Sequence, residues 1–383
     1  HGQRLLYTVP VVVFALLRYT YQVHRGQGED VARDLLRDGW LLGAGALWLF
    51  IFLSHRFLTA DRPRPAPGAS GASPSRPRPR LPVKQLLLVL GLVATVYAAA
   101  LLVWGDSPRT SLARLWSLNG LQAASLCLLS YGLRGLRWRF WMAHYARHFG
   151  LLQGLRLYLA GYAFTPTPGN VGEAVRGLVL AREPLSVRQS LALFGAERLA
   201  DLLCLLLLCL PAAAWAWEQG VIQRMPVWVA WLLLGGAVAA MLAAAVLFRL
   251  RQGGLRLPGW LQDAWTCLRV RPLAWFSLTL AAWSAQGVAV WLVCSDMGLS
   301  LGLATATGFY AVAMVGGALS ALPAGLGGTE AVLTGLLVAY GAAAGSALGM
   351  TVMVRLLTLW LAVATGLLAL LYSAAIARDI SFR

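Results

Sequence analysis

Apolar runs of about 20 consecutive residues recur along this chain, and each is long enough to cross the hydrocarbon of a bilayer as a helix. Inside hydrocarbon an unpaired backbone amide finds no water to bond, so only helices and closed barrels can span. These runs lack the two-residue alternation of barrel strands, and helices are therefore expected. With 59% hydrophobic and only 12% charged residues, the chain reads as an all-α polytopic membrane protein.

Residues 5–23 and 39–57 read as two membrane helices joined by a charged loop, and this two-helix fragment, 1–57, is followed by a change of composition. Segment 58–82, rich in Pro, Gly, Ser and Arg, cannot bury a core and reads as an extended, solvated linker. The main membrane domain then runs over 83–383, with spans expected near 85–104, 115–133, 186–216, 227–249, 272–296 and 346–376. Shorter apolar stretches at 151–165, 303–322 and 329–343 are interrupted by Pro and Gly. The opening at His1, without Met, reads as a start inside a longer protein.

The formal charge of +17 comes mainly from Arg and Lys between the apolar runs rather than on one folded face. That placement suits the positive-inside rule and anionic lipid, and it argues against nucleic acid. The connections 134–156 and 249–271, both Arg-rich, are expected on the cytoplasmic side with the linker and the C-terminus. The run Arg134, Arg137, Trp138, Arg139, Trp141, His144, Arg147 and His148 reads as an amphipathic helix lying on the membrane surface as an anchor. Cys127, Cys204, Cys209, Cys267 and Cys294 sit in or beside apolar runs without metal-site spacing, and read as small packing residues. No metal site or cofactor is expected.

An offset of 157 residues aligns the chain with itself. It pairs Pro166 with Pro323, Glu173 with Glu330, Ala174 and Val175 with Ala331 and Val332, and Arg198 with Arg355, without a gap. Each copy holds a Pro/Gly break (TPTPGNVGEAV, LPAGLGGTEAV), a short apolar segment and a long helix carrying an Arg. The loop charges give the two long helices opposite directions, so the fold expected is an inverted-topology repeat with broken or re-entrant helices. The breaks fall at Pro166, Pro168, Gly169 and Gly172 in the first copy and at Pro323, Gly325, Gly327 and Gly328 in the second. Broken helices in inverted repeats free backbone groups near the midplane, where transporters hold polar ligands.

Glu173, Arg176, Glu197, Arg198, Asp201, Glu330 and Arg355 fall in or beside these apolar segments. Charge there is costly and marks a cavity, a partner or a path. Two Glu–Arg pairs related by a pseudo-two-fold axis are one arrangement. The arginines suit a lipid phosphate through forked, charge-assisted hydrogen bonds, with the acids neutralising them or holding a cationic headgroup. A set of purely structural ion pairs fits the same residues. No GxSxG, P-loop or HExxH is present, and the membrane helices hold no Asp-rich DxxxD pair for Mg²⁺ and diphosphate.

On RGLRWRFWM, PTPGNVGEAVR, the ERLAD of 197–201, LPAGLGGTEA and Arg355 followed by a closing helix, residues 85–376 resemble the transmembrane flippase-like domain of the lysylphosphatidylglycerol synthase family. The resemblance implies lipid translocation and makes the seven charged residues above the candidates for headgroup binding. The chain ends at Arg383 without the soluble aminoacyltransferase domain of those synthases, so a lipid other than lysylphosphatidylglycerol is expected as cargo. Residues 1–57, with YTVPVVVFALLRYTYQVH, resemble the last two helices of a prenyltransferase such as decaprenyl-phosphate phosphoribosyltransferase. That resemblance implies a polyprenyl-linked cargo and a catalytic domain upstream of His1, and leaves the orientation of 1–57 open.

The function expected is thus a non-catalytic flippase or lipid-binding transporter of a bacterial or archaeal cytoplasmic membrane, acting on a phospholipid or polyprenyl-phosphate lipid. Its partners are membrane lipids, anionic ones first, and a prenyl-lipid synthesis enzyme. The other reading is a membrane anchor or scaffold subunit of such an enzyme.

Overall fold

A computed structural model of the chain describes residues 113–165, 173, 176, 185–220, 259–320 and 323–381. The fragment 1–57, the linker, the spans at 85–104 and 227–249, and the breaks at Pro166, Pro168, Gly169 and Gly172 lie outside the described residues. The described residues form helices α1 (Leu118–His144), α2 (Leu151–Gly161), α3 (Val187–Leu208), α4 (Leu210–Glu218), α5 (Gly259–Arg269) and α6 (Pro272–Asp296). They continue through α7 (Leu303–Leu319), α8 (Gly328–Ala339), α9 (Ala344–Arg355) and α10 (Leu361–Ser381), with one π turn, Leu356–Trp360, joining the last two. Among them Val187–Glu218, Pro272–Asp296 and Ala344–Ser373 are long and apolar enough to cross a membrane.

Helix α1 runs well past the expected end near 133, through the arginine-rich run. The Ser117 hydroxyl caps its start by accepting from Gly120 N–H at 3.0 Å. It lies antiparallel to α6: Asn119 donates to Asp296 at 3.2 Å, Arg134 to Gln286 at 3.0 Å and Arg137 to Thr279 at 2.9 Å, so rising numbers on one helix meet falling numbers on the other. The surface-anchor reading of this run is therefore corrected for its core-facing residues. Arg134, Arg137, Trp138 and Trp141 are buried, because their guanidinium and ring groups find partners on helices remote in sequence.

The repeat extends beyond the stretch legible in the sequence. Shifted by the same 157 residues, α1 falls on α6, α2 on α7, and α3 on α9 with the π turn and the start of α10. Contacts follow the same relation: α2 packs on α10, and its counterpart α7 packs on α4, the counterpart of α10. Counterparts α1 and α6 run in opposite directions, so the copies are inverted, as expected.

Contacts also sort the helix ends onto two faces. On one, Tyr145 at the end of α1 meets Cys267 of α5 at 3.3 Å, Arg188 at the start of α3 grips Asp263 of α5 at 2.7 and 2.9 Å, and Trp275 at the start of α6 donates to Leu268 O at 2.7 Å. The end of α1, the starts of α3 and α6, and α5 thus share one face. On the other, Tyr340 after α8 donates to Ser300 O ahead of α7 at 3.1 Å.

From that second face α7 enters, breaks, and returns as α8. At 1.5 Å per residue the 17 residues of α7 and the 12 of α8 give about 25 and 18 Å, each short of the ~30 Å core. The break is a tight turn with φ of +53° at Ala324, +66° at Gly325 and +82° at Gly327, where glycine relieves the left-handed strain at two of three positions. Gly317 lets α8 close against α7, since a Cβ there would meet the Thr329 hydroxyl. The hairpin is re-entrant, as the Pro/Gly pattern predicts.

Candidate functional site

Arg198 and Arg355 are each the twelfth residue of their helix, about 18 Å from its start and so near mid-bilayer. Each reaches the carboxylate that follows the break of its own copy. In the second copy Arg355 Nε donates to Glu330 Oε1 at 2.7 Å and Nη2 to the carbonyl of Ala324 in the break at 3.0 Å. Glu330 Oε2 accepts from Gly327 N–H at 2.7 Å, placing a negative charge at the positive N-terminal end of α8. One ion pair thus fastens both the turn and the helix that leaves it.

The first copy repeats the pair and elaborates it. Arg198 Nη2 lies 3.4 Å from Glu173 Oε2 and 3.2 Å from Asp201 Oδ2. Arg176 donates from Nη2 to Glu173 Oε2 and Glu197 Oε2, both at 3.1 Å, and from Nε to the Glu173 carbonyl at 3.0 Å. Thr165 donates to Glu173 Oε1 at 3.0 Å. Arg137 closes the other end, donating to Asp201 Oδ1 at 2.7 Å, where the Trp283 indole N–H also donates at 3.3 Å.

The result is an unbroken alternation of charge, Glu197–Arg176–Glu173–Arg198–Asp201–Arg137, joining α1 and α3 through Glu173 and Arg176. Alternation is what allows burial, because the desolvation of each inner ion is offset by partners of opposite sign on two sides. Arg198 is the outlier, with 36% of its side chain exposed where Arg355 keeps 2%. Guanidinium groups of the site also lie over rings, Arg134 over Trp283 at 3.9 Å, Arg176 over Tyr158 at 4.3 Å, Arg137 over Trp141 at 5.3 Å and Arg198 over Phe194 at 5.4 Å.

All seven candidates are thus placed: Glu173, Arg176, Glu197, Arg198 and Asp201 in one network, and Glu330 with Arg355 in the mirrored pair. Of the second-copy break residues, Pro323, Gly325 and Gly327 form the turn and Gly328 opens α8. Sequence reasoning missed Arg134, Arg137, Thr165, Trp283 and Gln286. One signal was there to use: Ser130, Arg134, Arg137 and Trp141 recur at four, three and four residues, which is one helical stripe rather than a surface loop.

Fold and site together define a multi-pass α-helical membrane protein of inverted-repeat design, with broken helices and a buried charge network at the breaks. The sequence model of the family described as the lysylphosphatidylglycerol synthase TM region matches residues 86–366, and the chain belongs to that family. No curated protein sequence matches it.

Proposed function

We propose that this chain binds a membrane lipid by its headgroup and carries it between leaflets, without catalysing a covalent step. The observation supporting this reading is the buried network at the first break. Three arginines and three acids gather near mid-bilayer, where charge without a role is selected against, and Arg198 is the most exposed of the six. The inverted second copy supplies a matching Glu330–Arg355 pair on the opposite side of the pseudo-symmetry, as alternating access between two faces requires. A phospholipid or a polyprenyl-phosphate lipid fits a site rich in guanidinium groups, and the family's name points toward phosphatidylglycerol derivatives. In this reading the face shared by the end of α1, the starts of α3 and α6, and α5, together with the C-terminus, is cytoplasmic.

The test is headgroup accessibility in proteoliposomes containing the full chain, with labelled phosphatidylglycerol, aminoacylated phosphatidylglycerol or a polyprenyl phosphate. Accelerated exchange of one lipid class, lost in Arg198→Ala and Arg355→Ala, is the expected result. Exchange no faster than in protein-free vesicles for every class removes the transport reading. It then favours the alternative, a non-transporting anchor for a prenyl-lipid or phospholipid-modifying enzyme, which the mutual pairing of the six charges also permits.

A further inference from the structure

Along the core-facing side of α1, hydrogen-bonding groups run in a stripe without partners. Ser130 Oγ, Arg134 Nε, Arg137 Nε and Nη2, and Trp141 Nε1 are all buried and unbonded. Their residues are 8% exposed or less. At offsets of four, seven and eleven residues they share one helix face, extending about 16 Å at 1.5 Å per residue. A buried donor left unpaired is destabilising, so five on one face of one helix describe a place built for something else.

The chemistry of the donors restricts the occupant. Guanidinium and indole N–H groups donate and do not accept, so the ligand must present several acceptors. Four arginines, Arg134, Arg137, Arg176 and Arg198, face three acids, Glu173, Glu197 and Asp201, which leaves one positive charge in excess. The ligand is therefore acceptor-rich and anionic, which describes a phosphate oxyanion. The stripe is not part of the repeat scaffold, because the second copy has Gly287, Trp291, Cys294 and Gly298 at the matching positions.

We infer that Arg134 and Arg137, flanked by Ser130 and Trp141, form a binding site for a phosphate oxyanion. It lies next to the charge network, reached through Asp201, and it takes either the phosphate of a lipid headgroup or free phosphate. The inference deepens the lipid reading above, but it is read by binding alone, so failure of transport would leave it standing. Ordered water is the competing occupant, with Glu197 Oε1 and Asp201 Oδ2 as the acceptors for its hydrogens.

The experiment is calorimetric titration of the full chain in a nonionic, phosphate-free detergent with three probes: dihexanoyl phosphatidylglycerol, dihexanoyl glycerol and inorganic phosphate. The wild type is expected to bind a phosphate-bearing probe and not dihexanoyl glycerol. Arg134→Met is expected to weaken that binding by tenfold or more, and Trp141→Phe, which removes the N–H together with the five-membered half of the indole, by about tenfold. Trp141→Phe breaks no hydrogen bond within the protein, so it decides the matter even if Arg134→Met fails to fold. Much tighter binding of the lipid than of inorganic phosphate identifies a headgroup site, and equal binding identifies a site for free phosphate. Binding unchanged in Trp141→Phe, or no binding of either phosphate probe by the wild type, overturns the inference.

Discussion

The two copies of the repeat share a skeleton and differ in what hangs on it. In the second, the Glu330–Arg355 pair holds the break, and Arg355 is almost fully enclosed. In the first, the equivalent Glu173–Arg198 pair is longer, half open, and embedded among Arg176, Glu197, Asp201 and Arg137. At the offset positions the second copy carries Leu333, Val354, Thr358 and Cys294 in place of those four. The shared pair is therefore the part that folding a re-entrant break requires, and the added charges belong to something only one copy does.

That division gives a ranking of substitutions by their effect on unfolding in detergent. Arg137→Met should cost most, about 4 kcal/mol, because it strips a wholly buried ion of Asp201 and Thr279 and leaves that acid short of a partner. Arg355→Met should follow at about 3 kcal/mol, since it takes a buried guanidinium away from Glu330 and from the Ala324 carbonyl in the break. Tyr131→Phe, which removes one hydroxyl donating to Leu357 O and Thr358 O at 2.9 and 3.0 Å, should cost about 1 kcal/mol.

Arg198→Gln should cost least, below about 1 kcal/mol, because its side chain is partly solvated and both acids it touches retain another arginine. The sharpest comparison is between the last arginine and Arg355. A stability loss at Arg198 equal to that at Arg355 would mean that the first copy depends on its pair as heavily as the second, and the distinction between them would fall. On the transport reading, Arg198→Gln is expected to fold well and yet move little lipid.

Much of this was legible in the sequence for a physical reason. Apolar length sets the helices, and a Pro/Gly cluster between two such lengths has few outcomes other than a break. The pairing of Glu330 with Arg355 follows once α8 and α9 are seen to form a hairpin. Arg134 and Arg137 were misread because loop charge and core charge look alike in a linear count. What distinguishes them is a partner on another helix, and Asp201 and Thr279 lie far away along the chain from Arg137. Tyr131 was equally hidden, since its value depends on two carbonyls released more than 200 residues later.

Those carbonyls belong to the π turn Leu356–Trp360, which holds about one residue more than an α turn between the same flanks. It works as an expansion joint. On one side Arg355 must face Glu330, and on the other Gly366 must pass the backbone of Ala163 so closely that any side chain would collide with it. Shortening the helix by one residue within 356–360 would turn the joint into ordinary α-helix and leave both faces in phase. The same deletion within 345–353 would swing Arg355 by about 100° off its acid. This stretch is thus a place in the helix where chain length and facing direction are decoupled, able to absorb a one-residue loss that would misalign the charge pair upstream.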